Sequence, residues 1–266
     1  MRYRAIRESD LPSLAALWLR CFEEKEEAVK LFFERNLSNT HAYLAEDGGT
    51  AIAAVYLIGC QLVGKSAHYL CGAATDPAYR HRGVMTALIE FALRDAARRG
   101  DCYSALLPAN DGLYRFYARL GYKEGAAVCC KELSAEPSQR RFSSSFDWEE
   151  LQRRCGGDKF LLWNNKTIRF ASEYYACYGV QVLQNERLLA LYEQDGDRAE
   201  VFYAIYRHLE ELKDLLCRRG VRRFSLTGSA GNPDLEDCDP LVCGMLKPLQ
   251  KDLPELSGVW IGLTLS

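Results

Sequence analysis

The chain has 266 residues, a formal net charge of −2, 48% hydrophobic and 26% charged residues. That length suits two domains of ordinary size, and the composition allows a full apolar core beneath a soluble surface. The charge balance speaks against the basic face of a general nucleic-acid binder, and no apolar run reaches the ~18–20 residues of a membrane helix.

In chain order, residues 3–7 read as a short strand. Ser9 or Asp10 then caps a helix whose Leu11, Leu14, Leu17 and Trp18 recur at helical spacing. A second helix is expected over residues 24–35. Strands follow at 41–46, 51–63 and 67–74, separated by the turn residues Gly48-Gly49 and Gly64-Lys65-Ser66. A loop over 75–82 leads into a helix over 83–99. Val84, Leu88, Ala92 and Leu93 form its apolar stripe, and Arg98-Arg99-Gly100 its stop. Residues 103–107 are an expected strand, 111–120 a short helix closed by Gly121, and 126–133 the last strand of the first half.

The polar, serine-rich stretch 134–145 reads as a linker, so the expected domains are 1–135 and 136–266. The second half repeats the scheme loosely, with strands at 179–184, 187–193 and 199–205, a helix over 209–219, and strands at 221–227 and 259–265. The fold class is α+β with mixed sheets, in two related lobes.

The 11 cysteines are scattered, with no CxxC pair. Cys129 and Cys130 are adjacent in an expected strand and so point to opposite faces. The expectation is buried, reduced thiols in a cytoplasmic protein, with neither a disulfide framework nor a metal site. Residues 1–7 carry no apolar core of a secretory signal.

The segment that carries chemistry is Thr75-Asp76-Pro77-Ala78-Tyr79-Arg80-His81-Arg82-Gly83-Val84-Met85, between a strand and a helix. Backbone N–H groups at a helix start lack intrahelical partners and sit at the positive end of the helix dipole. Gly83 lets a phosphate approach the backbone closely, and Arg80 and Arg82 add positive charge. These are the physics of a pyrophosphate site. For the loop alone, an ordinary basic turn before a helix is the plainer reading, and it is the surrounding context that favours the site.

Taken with residues 110–122, NDGLYRFYARLGY, the segment resembles the GNAT acetyltransferase superfamily. Residues 73–90 are similar to its acetyl-CoA motif, (R/Q)-x-x-G-x-(G/A). Residues 110–122 are similar to its later motif, an Asn before a helix ending in F-Y-x-x-x-G-F/Y. Together they cover the first half of the chain. Met85 replaces the last small residue of the loop motif, a departure that resembles the Eis (enhanced intracellular survival) branch. Members of that branch carry a GNAT lobe, a degenerate GNAT-like lobe and a sterol-carrier-like domain. This chain has room for the first two, with Met245-Leu246-Lys247-Pro248-Leu249 as the expected end of the second lobe. In that branch a C-terminal carboxylate after the third domain serves as base, a role not carried over to Ser266.

The resemblance implies acetyl-CoA as cosubstrate, no metal, and direct attack of an amine on the thioester. It makes Tyr117 the general acid. A phenol with a pKa of about 10 can protonate a thiolate whose thiol pKa is about 8.5. Tyr114 and Tyr122 are expected to be structural. Backbone groups of Ala73, Ala74 and Thr75 would meet the oxyanion and the pantetheine arm. Arg80, His81, Arg82, Gly83 and Val84 would hold the pyrophosphate, with Asn110 also on the cofactor side. A lysine amine is neutral about once in 2,500 at pH 7, a cost of about 4.6 kcal/mol that a base would relieve. Glu23, Glu24, Glu26 and Glu27 are the candidates, against the plain reading of a solvated helix face, with His68 and His41 as alternatives. The acceptor would be a primary amine: a polyamine or aminoglycoside, a peptide N-terminus or a protein lysine.

The second half lacks the loop, reading Tyr206-Arg207-His208-Leu209-Glu210 at the matching place. It is expected to wall the acceptor cleft or to form a subunit contact, which leaves a homo-oligomer open. The acidic run 232–239 reads as a solvated loop, with attraction of a polycationic acceptor as the alternative. The competing function is a silent acyl-CoA-binding regulatory or assembly module, against which the intact Tyr117, Arg80 and Gly83 weigh. An unrelated nucleotide-binding domain is disfavoured, since the loop is neither a Walker loop nor GxGxxG.

Overall fold

The apolar run after Gly49 becomes the longest strand, Thr50–Leu62, buried along most of its length. Its alternate side chains serve two different layers. Tyr56 packs on Trp18, with ring centroids 5.0 Å apart, while Val55 and Leu57 join the cluster of Leu88 and Ala92 on the other face.

The computed structural model describes residues 1–142 and 147–264. They form two compact units, one of residues 1–124 with 244–255, the other of residues 125–243 with 256–264. The first unit runs β1 (Arg2–Ala5), α1 (Leu11–Cys21), α2 (Glu26–Arg35), β2 (Thr40–Asp47), β3 (Thr50–Leu62), β4 (Lys65–Thr75), α3 (Val84–Arg99), β5 (Tyr103–Leu106), α4 (Asp111–Arg119) and β6 (Lys123–Glu124). The second runs β7 (Ala127–Ser134), α5 (Trp148–Gly156), β8 (Leu161–Leu162), α6 (Asn165–Ala176), β9 (Gln181–Gln184), β10 (Leu188–Asp195), β11 (Arg198–Tyr206), α7 (Leu209–Arg218), β12 (Arg223–Gly228) and β13 (Leu241–Val242). β14 (Met245–Pro248) then returns to the first unit. No helix among the described residues is long and apolar enough to cross a membrane.

The first sheet has the order β1-β2-β3-β4-β5-β14-β6 and the second β13-β7-β12-β11-β10-β9. Both are mixed. β4 and β5 are parallel and pair only from Ala67↔Tyr103 to Tyr69↔Ala105. β4 runs on to Thr75 with β3 on one edge alone. In that free stretch the β3–β4 register shifts, Tyr56 facing Cys71 and Ala54 facing Ala74. One extra residue is thus inserted in β4 around Gly72 and Ala73, a β-bulge. Gly72 has φ +59, and a Cβ there would lie 2.8 Å from Trp18 and from Tyr56, so both strain and space require glycine.

The second sheet repeats this device. β11 and β12 are parallel and pair only from Arg198↔Arg223 to Val201↔Leu226. β11 then runs on to Tyr206 with a register shift that leaves Phe202 unpaired against β10. A bulge shortly before the strand end, beside a parallel neighbour that has departed, occurs in each unit. The internal repeat expected from the element pattern extends to this irregularity.

The two repeats differ in what meets the freed edge. In the second unit the thiol of Cys155, on α5, accepts from the Tyr206 N–H and donates to its C=O, both at 3.3 Å. Burial pushes that thiol up to about 11, so it keeps the proton it donates. Cys155→Ala would leave both backbone groups of Tyr206 unpaired in the interior. We expect a loss of about 1–3 kcal/mol of stability, read as a lowered urea midpoint.

Several expectations are corrected. The strand expected to close the first half, β7, pairs with β12 over Ser134↔Arg223 to Cys129↔Gly228 and belongs to the second sheet. The segment 245–249, expected to end the second lobe, supplies β14, which pairs with β5 from Met245↔Leu106 to Pro248↔Tyr103. The expected boundary at residue 135 falls inside the second unit, which begins at Gly125. α5 and α6 were not anticipated, although Asn164 caps α6 by accepting from Thr167 N at 2.8 Å, a legible start signal. Of the strand expected over 259–265, Val259 and Trp260 form isolated bridges to Ala126 and Phe160. Residues 143–145 of the expected linker, and Leu265 and Ser266, lie outside the described residues.

Candidate active site

The splay of β4 from β5 opens a cleft of about 890 Å³ in the first unit. Its floor is the bulged end of β4, one wall is α4 with the residues after β5, another is the start of α3, and the fourth is the C-terminal end of α1. Ala73, Ala74, Thr75, Arg80, His81, Gly83, Val84 and Tyr117 all line it. Arg82 and Asn110 do not.

Backbone chemistry at Thr75 follows from the ladder. Asp76 N–H donates to Ile52 O at 2.8 Å, so Asp76 is in a hydrogen-bonded position and Thr75, one residue earlier, turns its N–H and C=O away from β3. The carbonyl receives Arg80 Nε at 3.1 Å and the Cys21 thiol at 3.4 Å. The N–H faces the side that β5 has left. It is a donor aimed where a carbonyl or an amide of an extended ligand would lie.

The loop after Thr75 is held by its own side chains. Asp76 accepts from Ala78 N at 3.0 Å and pairs with Arg20 at 3.2 Å. The Arg82 guanidinium lies 5.3 Å above the Tyr79 ring, which accounts for its absence from the cleft wall. His81 and Gly83 both have positive φ, 61° and 75°. Gly83 is the N-cap of α3 and offers no side chain to the helix start, so the first amides of a 16-residue helix face outward uncapped. A Cβ at Gly83 would meet nothing within 4 Å. The glycine is there for its backbone angle and for access, not for packing.

Tyr117 sits on α4, buried and in edge contact with Phe116 and Tyr122. Its hydroxyl has no hydrogen-bond partner among the described residues. Burial, and then the neighbouring Cys71, push its phenol up to about 12. It therefore holds its proton throughout the physiological range. Tyr122 is spoken for by Ser104, at 2.6 Å, and Tyr114 accepts from Gly244 N at 2.9 Å, which makes both structural.

Asn110 has a helix-building task, as its Oδ1 accepts from Leu113 N at 3.1 Å and starts α4. The far end of α4 is tied by Lys247, whose amine donates to Leu120 O. Gly244 immediately precedes β14 and Lys247 lies within it, so the helix carrying Tyr117 is tied by chain that arrives more than a hundred residues later.

Among the candidate bases, Glu24 alone of the four glutamates lines the cleft. His68 is buried, bonded through Nδ1 to Asp101 at 2.8 Å, and burial holds its pKa below the ordinary value. It does not line the cleft, and His41 does not either. Trp18 falls on the core stripe of α1, and Phe22 carries no site signal in the sequence. Both line the cleft. No cluster of His, Cys, Asp or Glu among the described residues could hold a metal ion.

Residues 2–125 match the model of an acetyltransferase (GNAT) domain. In overall fold the chain is similar to three solved structures. A conserved Enterococcus faecalis V583 protein described as a probable N-acyltransferase gives a TM-score of 0.69 at 16% identity, over 93% of this chain and 72% of that one. A GCN5-related N-acetyltransferase from Kribbella flavida gives 0.64 at 19% identity, over 93% and 70%. Eis1 from Mycobacterium abscessus gives 0.65 at 14% identity, over 94% and 74%. At these identities the likeness is one of fold. A search of curated proteins gives no match.

Proposed function

We propose that this chain, whose residues 2–125 match the model of an acetyltransferase (GNAT) domain, moves an acetyl group from acetyl-CoA directly to a primary amine. One observation carries the reading: the uncapped start of α3, the bulged end of β4 through Thr75, and Tyr117 line a single cleft. The pyrophosphate sits against the first amides of α3, at Gly83 and Val84, with Arg80 and His81 beside it. The pantetheine arm extends along β4, where β5 has withdrawn, and bonds to the backbone from Ala73 to Thr75. The amine attacks the thioester carbonyl, the tetrahedral intermediate collapses, and Tyr117 gives its proton to the departing thiolate. The deprotonated phenol regains its proton from the acylated amine through solvent.

The second unit is the degenerate copy, its freed strand edge closed by Cys155. One acetyl-CoA per chain is therefore expected. All eleven cysteines are free thiols, which supports a reducing, cytoplasmic setting.

Titration calorimetry with acetyl-CoA, followed by thiol release against a panel of primary amines, tests the reading. Micromolar binding at one site per chain with amine-dependent release is expected. Binding without release from any amine would favour a silent acyl-CoA sensor, and no binding would end the proposal.

The pH profile supplies a second check. An amine with a pKa of about 10.4 becomes neutral tenfold more often with each pH unit, so the rate rises from pH 6 to 9. Tyr117 is pushed up to about 12, so its proton is retained as the pH rises through that interval. A falling limb centred near 10 would show an acid with an ordinary phenol pKa, which is not Tyr117 in this environment.

A further inference from the structure

We propose that Lys247 is a positioning residue for acyl transfer: by holding the C-terminal end of α4 to β14, it sets where the Tyr117 hydroxyl stands. The inference rests on reading the cleft as an acyl-CoA:amine transfer site with Tyr117 as its acid.

Tyr117 has to be placed from a distance. Its hydroxyl has no hydrogen-bond partner among the described residues, so no bond beside the reacting atom fixes it. Its ring is held by edge contacts with Phe116 and Tyr122. The hydroxyl therefore goes where α4 goes. That helix has nine residues, too few to hold its shape in water unaided.

The last carbonyls of a helix lack intrahelical donors. At the end of α4 Lys247 supplies one, its amine donating to Leu120 O, a cation at the negative end of the helix dipole. Gly121 leaves room for it: φ there is +85, and an added Cβ would stand 3.4 Å from the lysine Nζ. The ammonium makes no ion pair among the described residues. It lies 5.9 Å from the centroid of the Tyr122 ring, with the Glu90 carboxylate near enough to act on its charge. Half-burying an ammonium is costly, and an ordinary strand former would continue β14 as well. What the lysine adds is the donor at the helix end.

The tether is grounded in the sheet. Lys247 pairs with Ser104 on β5, which pairs in turn with His68 on β4. Ser104 also holds the Tyr122 hydroxyl, at 2.6 Å. Just past β14, Leu249 N–H donates to Cys102 O at 2.8 Å. A second tie reaches Tyr114, near the start of α4, whose hydroxyl accepts from Gly244 N at 2.9 Å. A hydrogen-bonded path thus runs from the helix carrying the acid, through Lys247, β14 and β5, to β4, the strand proposed to hold the thioester. Lys247 itself does not line the cleft, so its influence on the reaction passes through α4. Misplacing a reacting group by about 1 Å can cost about 100-fold in rate.

The test is a double-mutant cycle in the full chain. It is read by thiol release at saturating acetyl-CoA, with the fastest of spermidine, kanamycin and 2-phenylethylamine as acceptor. Lys247→Met should lower kcat about tenfold, with the Kd for acetyl-CoA held within about twofold. In a Tyr117→Phe background the same substitution should lower the residual kcat by less than about twofold, because the group it positions is gone. Tyr114→Phe removes one oxygen and cuts the second tie. It should lower kcat about threefold with the same non-additivity, and it carries the test if Lys247→Met does not fold. Losses of equal size in both backgrounds, or an unchanged kcat in Lys247→Met, overturn the inference and leave acyl transfer standing. Full activity in Tyr117→Phe alone, or no release from any of the three amines, overturns the inference and the reading beneath it.

Discussion

Replacing Tyr117 with phenylalanine should lower kcat about 100- to 1,000-fold while leaving the Kd for acetyl-CoA within about twofold, in line with the loss of one general acid. The substitution is clean because the hydroxyl has no partner among the described residues, and the ring keeps its contacts with Phe116 and Tyr122. No buried group is orphaned, so the thermal midpoint should hold. A phenol at about 12 gives its proton to a free thiolate of pKa about 8.5 uphill by about 5 kcal/mol. The cleft narrows that gap. Cys71, which lines the same cleft, is pushed well above the usual thiol range by burial. On the proposed reading, a thiolate departing in this cleft would be desolvated by similar surroundings and would bind a proton more tightly. Phenol and leaving group would then be raised together, which keeps the proposed transfer feasible. Steady-state kinetics with saturating acetyl-CoA, paired with calorimetry on the same sample, decide the matter. A large loss of affinity would show that the hydroxyl shapes the cofactor site, and unchanged turnover would remove it from the chemistry.

The first half was legible because its signals are local. Gly83 after Arg80-His81-Arg82, the apolar stripe of α3 and the Asn110 cap each act within a few residues of where they are read. What escaped was set at long range. β7 and β14 each alternate acceptably for either sheet, and nothing in the residues themselves says which they join. Their partners decide it, β12 for one and β5 for the other. The same holds for Trp18. At helical spacing with Leu14 and Leu17 it reads as core, and it is buried. Its second face becomes a cleft wall only because β4 bulges at Gly72, a feature that period and propensity do not encode. Asn110 shows the reverse case, since the residue type and position were legible but its side chain is engaged in starting α4.

Gly83→Asp should weaken acetyl-CoA binding about 100-fold, or about 2.7 kcal/mol, without unfolding the protein. The position is open, with nothing within 4 Å of an added Cβ, so neither aspartate nor asparagine meets a clash. Its φ of 75° is left-handed, a conformation that Asp and Asn tolerate better than other non-glycine residues. A carboxylate at this helix start complements the dipole and offsets part of the left-handed backbone cost, so the apo protein should lose no more than about 1 kcal/mol. The larger expected damage is to ligand binding. A fixed negative charge would stand where the pyrophosphate is to be received, and would occupy the amides that should bind it. Gly83→Asn separates the causes, since it carries the same shape and strain without the charge. We expect it to lose no more than about fivefold in affinity. The interval between the two variants, measured at low and high salt, should shrink as salt rises, because the repulsion is screened over a Debye length of about 10 Å at 0.1 M. Equal losses in both would mean that backbone strain or bulk, not charge, governs the loop. No loss in either would move the phosphates away from the start of α3, and with them the orientation of the acyl group toward Tyr117.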